Sequence, residues 1–273
     1  MHDATTPLSW PALAHHFQPG HALEVPASWK QGRTVYGGVS AALAVLAARA
    51  QVEGLPPLRS LQALFTGPSK RPELSARLLR EGRNVSSVDT EAREGDHVVG
   101  NAQLVFGRSR DSALSIDHPA PHCAPPEVCE PFAPDGHPFI PAFFGNFEVR
   151  LAGGSRPLSG AAEGRILAWA RHRDPAAWEG SPEEREAAFV CLGDVLPPAA
   201  FAAMGAPAPI SSVNWMLNIL RAPNTQAGWF LVESHQTAAR DGYSSQRMRF
   251  WARNGDGAGS LVAEGMQSVA VFA

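Results

Sequence analysis

The chain has few cysteines, little net charge and no long apolar run. Its 273 residues contain three cysteines, Cys123, Cys129 and Cys191, an odd and sparse set that argues against a disulfide framework and favours a reducing compartment. The net charge of −3 offers no electrostatic footprint for nucleic acid or an anionic membrane. The longest apolar stretch, around residues 39–48, is too short to span a bilayer, and residues 1–7 lack the basic start of a secretory signal. We therefore expect a cytoplasmic protein with no nucleic-acid or membrane partner.

Several motifs of catalysis and metal binding are also missing. The segment Gly38-Val39-Ser40-Ala41-Ala42 lacks the second glycine of a serine-hydrolase elbow, and no phosphate-binding Gly-Lys-Ser/Thr loop is present. His118, His122, Cys123 and Cys129 lie in a proline-rich stretch without the paired spacing of a zinc site. The sequence therefore predicts no metal and no organic cofactor.

Two stretches of the chain resemble each other. Arg80-Glu81-Gly82 precedes an alternating run that leads to Gln103, and Arg240-Asp241-Gly242 precedes a similar run that leads to Gln267. The second stretch is four residues longer from Arg to Gln, and we assign the difference to a hairpin loop at Gly255-Asp256-Gly257-Ala258-Gly259. Such internal similarity indicates a duplicated module.

Each half combines a helix with strands. Residues 39–50 are rich in alanine and leucine, which predicts a helix that is apolar on nearly every face and ends at Gly54. Ser181-Pro182-Glu183-Glu184 is a helix N-terminal signature, and this second helix is expected to run to about Leu192 and to resume through Ala203. The alternating patterns predict strands at residues 60–66, 73–79, 85–93, 98–106, 143–151, 165–171, 211–220, 229–234, 244–251 and 260–272.

A buried helix wrapped by an antiparallel sheet, twice over, with Val35-Tyr36-Gly37-Gly38 opening the first helix, resembles the double hot-dog fold of the acyl-CoA thioesterase II family. The resemblance covers roughly residues 32–107 and 139–272. It implies an α+β fold of two tandem modules, 1–108 and 139–273, joined by a proline-rich linker over 109–138. It also implies an acyl-CoA substrate. Because pseudo-dimers of this kind often associate further, it implies a homo-oligomer as well.

The resemblance also implies a catalytic set. Enzymes of the family hydrolyse fatty acyl-CoA with an Asp, a Thr or Ser, and a Gln that together hold and polarise a water. These positions fall on Asp194, Ser212 and Gln267 of this chain. Asn214 stands where the family has another Asp, two residues after the hydroxyl residue.

These residue types suit thioester hydrolysis, which needs a positioned water, a base and donors to the developing oxyanion. Asp194 can serve as the base if burial raises its pKa, and Ser212 and Gln267 can orient the water. The first helix leaves the backbone N–H groups of residues 37–39 (Gly37, Gly38 and Val39) without partners inside the helix. We therefore expect these amides to bind the substrate carbonyl as an oxyanion site.

The two copies differ in their carboxylates. Ser60 mirrors Ser212 and Gln103 mirrors Gln267, whereas the first helix carries no carboxylate before Glu53. The second, pseudo-symmetric site therefore lacks a base. We expect one working site per chain.

Other interpretations stay open at this point. Hot-dog hydratases and dehydratases pair an Asp with a nearby His, and no His lies between His172 and His235. A non-catalytic protein that binds acyl-CoA or lipid is also possible, given Asn214. Asp194 can equally be a local helix cap, and Gly37 and Gly38 can simply allow close packing.

Overall fold

A computed structural model of the chain describes residues 8–133 and 140–272. Residues 1–7 and the expected module boundary at 138/139 lie outside the described residues. The described residues form four α-helices, at Trp10–His16 (α1), Gly37–Gln51 (α2), Pro182–Gly193 (α3) and Ala200–Ala203 (α4). The strands of the first half are Lys30–Gln31 (β1), Thr34–Val35 (β2), Leu58–Phe65 (β3), Glu73–Glu81 (β4), Val85–Glu94 (β5) and His97–Gly107 (β6). Those of the second half are Glu130–Pro131 (β7), Phe147–Gly154 (β8), Arg165–His172 (β9), Ile210–Ile219 (β10), Phe230–Arg240 (β11), Tyr243–Asn254 (β12) and Gly257–Val271 (β13).

Strands β3 to β13 form one antiparallel sheet in the order β4-β5-β6-β3-β10-β13-β12-β11-β9-β8-β7. The order β4-β5-β6-β3 of the first half is mirrored by β11-β12-β13-β10 of the second. The halves meet where β3 pairs with β10, with Leu61 opposite Leu217. The duplicated meander that the sequence predicts is therefore present, and its two copies share one continuous sheet.

Helices α2 and α3 lie side by side and pack against the inner face of the sheet. Helix α2 is built mainly of alanine, leucine and valine, so most of its residues are buried, as the all-round apolar pattern predicts. Helix α3 begins with a capping box, in which the Ser181 hydroxyl accepts from the Glu184 amide and the Glu184 carboxylate accepts from the Ser181 amide. No helix among the described residues is long and apolar enough to cross a membrane.

A buried ion pair joins the two helices. Arg49 on α2 contacts the carboxylate of Glu186 on α3, and both side chains are almost fully buried. Arg49 also donates to the carbonyls of Leu55 and Pro56, while Glu186 accepts from the amide of Leu58 at 3.0 Å. The pair thereby fixes both the spacing of the helices and the entry of the chain into β3.

The stretch between β6 and β7 forms no helix or strand in its described residues, and it runs over the outer face of the sheet. The indole of Trp169 donates to the carbonyl of Ala124 at 2.9 Å, and that of Trp251 donates to the carbonyl of His118 at 3.0 Å. The division into 1–108, 109–138 and 139–273 stays a prediction. Within the expected linker, β7 pairs with β8 of the second half.

Two local expectations differ from the structure. Residues 142–146 form a 3₁₀ turn, so the strand expected from Phe143 begins at Phe147. The extra four residues of the second repeat do not lie in a loop, because β12 and β13 are joined by a tight turn after Asn254. Instead β13 has 15 residues against 11 in β6, and this difference accounts for the four extra residues.

We expect Glu186→Ala to lower the free energy of unfolding by about 3 to 5 kcal/mol, because Arg49 is left as a buried, unpaired charge. Glu264→Ala is the matched control, since it removes the more exposed partner of Arg249 and is expected to cost less than about 1 kcal/mol. Urea unfolding of both variants measures the difference. Equal losses would show that the Arg49–Glu186 pair does not hold the helices.

Candidate active site

The N-terminus of α2 meets the C-terminus of α3 in a contact that leaves no room for side chains. A Cβ atom on Gly38 would lie 2.3 Å from the carbonyl oxygen of Cys191, and one on Gly37 would lie 2.6 Å from Oδ2 of Asp194. The hydroxyl of Tyr36, the residue that precedes α2, donates to the same Cys191 carbonyl at 3.0 Å. A side chain at Gly38 would therefore overlap the backbone of α3, and one at Gly37 would displace the Asp194 carboxylate.

Asp194 is the C-cap residue that directly follows α3, and its carboxylate reaches this contact. The carboxylate accepts a hydrogen bond from Nε2 of Gln267 at 2.9 Å and another from the backbone amide of Gly38. Burial raises the pKa of Asp194 from 3.8 to about 7, against the opposing effect of these two hydrogen bonds. A carboxyl group with this pKa is poised to exchange protons near neutral pH.

Ser212 and Gln267 come from neighbouring strands of the second half. Gln267 on β13 is 2% exposed, and its Nε2 also donates to the hydroxyl oxygen of Ser212 on β10, at 3.1 Å. A β-bulge between Ser212 and Asn214 keeps Ser212 on the inner side of the sheet and leaves Asn214 exposed. The residue that departs from the family pattern is therefore turned away from the Asp194–Gln267–Ser212 cluster.

A cavity of about 460 Å³ opens beside this cluster. Asp194, Ser212 and Gly37 line one part of it. The rest lies between α2 and the sheet of the first half and is lined mainly by small or apolar side chains, among them Ala41, Ala44, Ala63, Phe65, Leu74, Ala92 and Ala102. The cavity thus joins a polar end at the helix contact to an apolar pocket in the other half of the chain.

The three amides expected to bind the substrate carbonyl are not equivalent. Gly37 lines the cavity, whereas the amide of Gly38 is directed to the Asp194 carboxylate. Val39 is fully buried and does not line the cavity. Of the predicted set, Gly37 is the residue whose backbone is best placed to meet a ligand.

The expected mirror residues in the first half do not form a second cluster. Gln103 is exposed on the outer face of the sheet, between the buried Ala102 and Leu104. The hydroxyl of Ser60 donates to the side-chain oxygen of Asn218 at 2.9 Å. The predicted equivalence of Ser60 and Gln103 with Ser212 and Gln267 is therefore wrong in three dimensions. Ser60 and Gln103 point to the outer face of the sheet, whereas Ser212 and Gln267 point to the inner face.

One buried polar residue next to the cluster was not predicted from the sequence. Gln246 on β12 is 1% exposed and donates from Nε2 to Oε1 of Gln267 at 2.7 Å. Its position within the alternation Ser244, Gln246, Met248, Phe250 is the signal that could have placed it on the buried face. Within residues 8–133 and 140–272, no group of three or more His, Cys, Asp or Glu side chains is arranged to hold a metal ion.

An antiparallel sheet wrapped around two central helices, built from two similar halves, is the architecture of a double hot-dog protein. Family profiles agree, because the acyl-CoA thioesterase N-terminal domain matches residues 25–107 and the acyl-CoA thioesterase C-terminal domain matches residues 125–271. The chain belongs to this acyl-CoA thioesterase family. A search of curated proteins finds no match.

Solved structures share the fold across nearly the whole chain. A protein of unknown function with a hot-dog fold from Alicyclobacillus acidocaldarius is 24% identical, with a TM-score of 0.80, over 94% of this chain and 95% of that one. A putative thioesterase II from Thermobifida fusca is 19% identical, with a TM-score of 0.74, over 92% of each chain. Acyl-CoA thioesterase II TesB2 from Mycobacterium marinum is 18% identical, with a TM-score of 0.72, over 92% and 91%. At these identities the likeness concerns the fold, and it confirms the predicted α+β double hot-dog architecture.

We expect Asp194→Asn to change how stability depends on pH. In the wild type, raising the pH from about 4 to about 7 ionises Asp194 in the unfolded chain while the folded chain keeps its proton, so stability falls over this range and levels off above it. The Asn variant lacks this loss. Its Tm relative to wild type should therefore rise between pH 4 and 7 and then stay constant.

Thermal unfolding from pH 4 to 9 measures this effect, with Asp256→Asn in the exposed turn after β12 as the control. The Tm of the control relative to wild type should change less over the same pH range. A constant Tm difference between wild type and Asp194→Asn at every pH would contradict the raised pKa.

Proposed function

We propose that this protein hydrolyses acyl-CoA thioesters, with Asp194 as the general base. The observation that carries the proposal is the carboxylate of Asp194, with a pKa of about 7, in the wall of a largely apolar cavity and beside a helix N-terminus. A base is most effective when its pKa lies near the working pH. The family membership supports acyl-CoA as the substrate class.

In the proposed reaction, Asp194 removes a proton from a water while the water oxygen attacks the thioester carbonyl carbon. The carbonyl oxygen becomes an oxyanion, which the Gly37 amide and the positive end of the α2 dipole stabilise. The carbon–sulfur bond then breaks, and the departing CoA thiolate takes the proton from Asp194. The products are the free carboxylic acid and the CoA thiol, and Asp194 is ready for another cycle.

Ser212 and Gln267 hold the attacking water in this scheme. Because Nε2 of Gln267 donates to both Asp194 and the oxygen of Ser212, the hydroxyl hydrogen of Ser212 is left to bind the water or the substrate. Fixing the water in one orientation removes much of the entropic cost of the attack. The acyl chain would lie in the apolar pocket, along Ala41 and Ala44 of α2.

The alternatives are less well supported by the site. A hydratase or dehydratase would need a histidine beside Asp194, and no histidine is among the described residues that line the cavity. His172 is buried elsewhere, with its ring nitrogen bonded to the carbonyl of Ala188 at 2.8 Å. The exposed position of Asn214 removes the main argument for a non-catalytic binding protein. Association of the chain into a homo-oligomer stays a prediction.

We expect the purified protein to release free thiol from acyl-CoAs, with a rate that depends on acyl length. Asp194→Asn should lower kcat about 10²- to 10⁴-fold, as loss of a general base does. Wild-type kcat/KM should fall about tenfold per unit below pH 7, because only ionised Asp194 accepts the proton. A thiol-reactive dye measures release for a series of acyl-CoAs between pH 5 and 9.

Gln267→Ala should also lower kcat strongly, and Gln103→Ala is its matched control. Gln103 is the corresponding glutamine of the repeat but lies exposed on the outer face of the sheet, so its loss should leave kcat unchanged. The proposal fails if no acyl-CoA in the series is hydrolysed, or if Asp194→Asn hydrolyses them as fast as wild type.

A further inference from the structure

Gln246 is a buried side chain that the proposed reaction does not use directly. It lies on β12 directly across from Gln267 on β13. Its Oε1 accepts from the backbone amide of Ala199 at 2.6 Å, and its Nε2 donates to Oε1 of Gln267 at 2.7 Å. Two side-chain amides are therefore connected in series between a backbone N–H and the Asp194 carboxylate.

The direction of each hydrogen bond in this series follows from the first one, which the Ala199 amide donates. A backbone N–H can only donate, so the group that Gln246 turns towards Ala199 must be its oxygen. Its NH₂ group then faces Gln267 and requires an acceptor there, which is Oε1 of Gln267. The NH₂ group of Gln267 is consequently turned towards Asp194 and Ser212.

We propose that Gln246 is a positioning residue that fixes the orientation of the Gln267 amide, so that both hydrogens of this amide are donated to Asp194 and Ser212. The proposal rests on the proposed function for its kinetic consequences, but the orientation itself does not depend on it. If Gln267 were reversed, its oxygen would face the Asp194 carboxylate. Two acceptors would then oppose each other in a buried site, which is costly.

The amide orientation affects the base directly. A donor to a carboxylate stabilises the ionised form, so the Gln267 hydrogen bond favours ionised Asp194 against the effect of burial. Asp194 acts on two buried titratable side chains, Tyr36 and Cys191. Burial, followed by the Asp194 charge, raises the pKa of each, so both are neutral near pH 7. The orientation of Gln267 is therefore a main control on when Asp194 becomes a base.

Gln246 also ties the segment after Asp194 to the sheet. Ala199 lies five residues beyond Asp194, between α3 and α4, and it is fully buried. The bond from its amide to Gln246 links this segment to the strand beside Gln267. Gln246 thus positions both the segment that follows Asp194 and the Gln267 amide that donates to Asp194.

Two substitutions separate these effects. Gln246→Glu keeps an acceptor for the Ala199 amide, but in its ionised form it offers none of the hydrogens that Gln267 needs, so Gln267 should reverse. Gln246→Leu removes both contacts, and Gln267 then has no partner that selects its orientation. Gln236→Leu is the matched control, because Gln236 lies opposite Gln246 on β11 but donates to Ser244 rather than to Gln267.

We expect the pKa of Asp194 to rise by about one unit or more in Gln246→Glu, by less in Gln246→Leu and not at all in Gln236→Leu. Infrared titration of the Asp194 carboxyl band, assigned with Asp194→Asn, measures this without substrate. In thiol-release assays the pH at half-maximal kcat should move upward in the same order. The kcat at pH 7 should fall about tenfold in Gln246→Glu, with KM little changed.

The two readouts distinguish the proposals from each other. Absence of thiol release in the wild type would remove the proposed function, while the infrared titration would still test the role of Gln246. An Asp194 pKa that is the same in wild type and in both folded Gln246 variants would overturn the positioning role. A fall in kcat without any shift of the pH profile would likewise contradict it, because loss of structure alone accounts for that result.

Discussion

The close contact between the start of α2 and the end of α3 is the constraint on which the site depends. Gly38 lies so near the Cys191 carbonyl that a methyl group would overlap it, and the Tyr36 hydroxyl bonds to the same oxygen. One helix comes from each half of the chain. The candidate site at this contact is therefore formed by both halves together and is absent from either half alone. The amide of Gly38 reaches Asp194, and the apolar cavity opens beside it.

The electrostatics of this contact explain why its carboxylate is suited to proton transfer. Burial and the negative end of the α3 dipole disfavour ionised Asp194, whereas the α2 N-terminus, the Gly38 amide and Gln267 favour it. The balance leaves the pKa of Asp194 near neutrality, with a cost in stability above that pH. A buried group that destabilises the fold when ionised is typical of a functional site rather than of a helix cap.

The periodic helices and strands could be predicted well from the sequence. The direction of side chains next to an inserted residue could not. Both central helices and the mirrored meanders followed from composition and alternation, and Asp194, Ser212 and Gln267 came from the family resemblance. The side-chain direction of Ser60 did not, because alternation is reset by bulges such as the one between Leu58 and Ser60. A bulge also turned Asn214 outward. Bulges depend on the pairing of distant strands, which local patterns do not reveal.

The central claim is that Asp194 activates a water and is not itself joined to the acyl group. Hydrolysis of an acyl-CoA in water enriched in ¹⁸O tests it most directly, with mass spectrometry of the released acid and of the peptide that contains Asp194. Attack by water predicts one ¹⁸O atom in the acid from the first turnover and an unlabelled Asp194 after many turnovers. Label in the Asp194 carboxylate, or an unlabelled acid from the first turnover, would contradict the account, because either result requires a covalent bond between Asp194 and the acyl group.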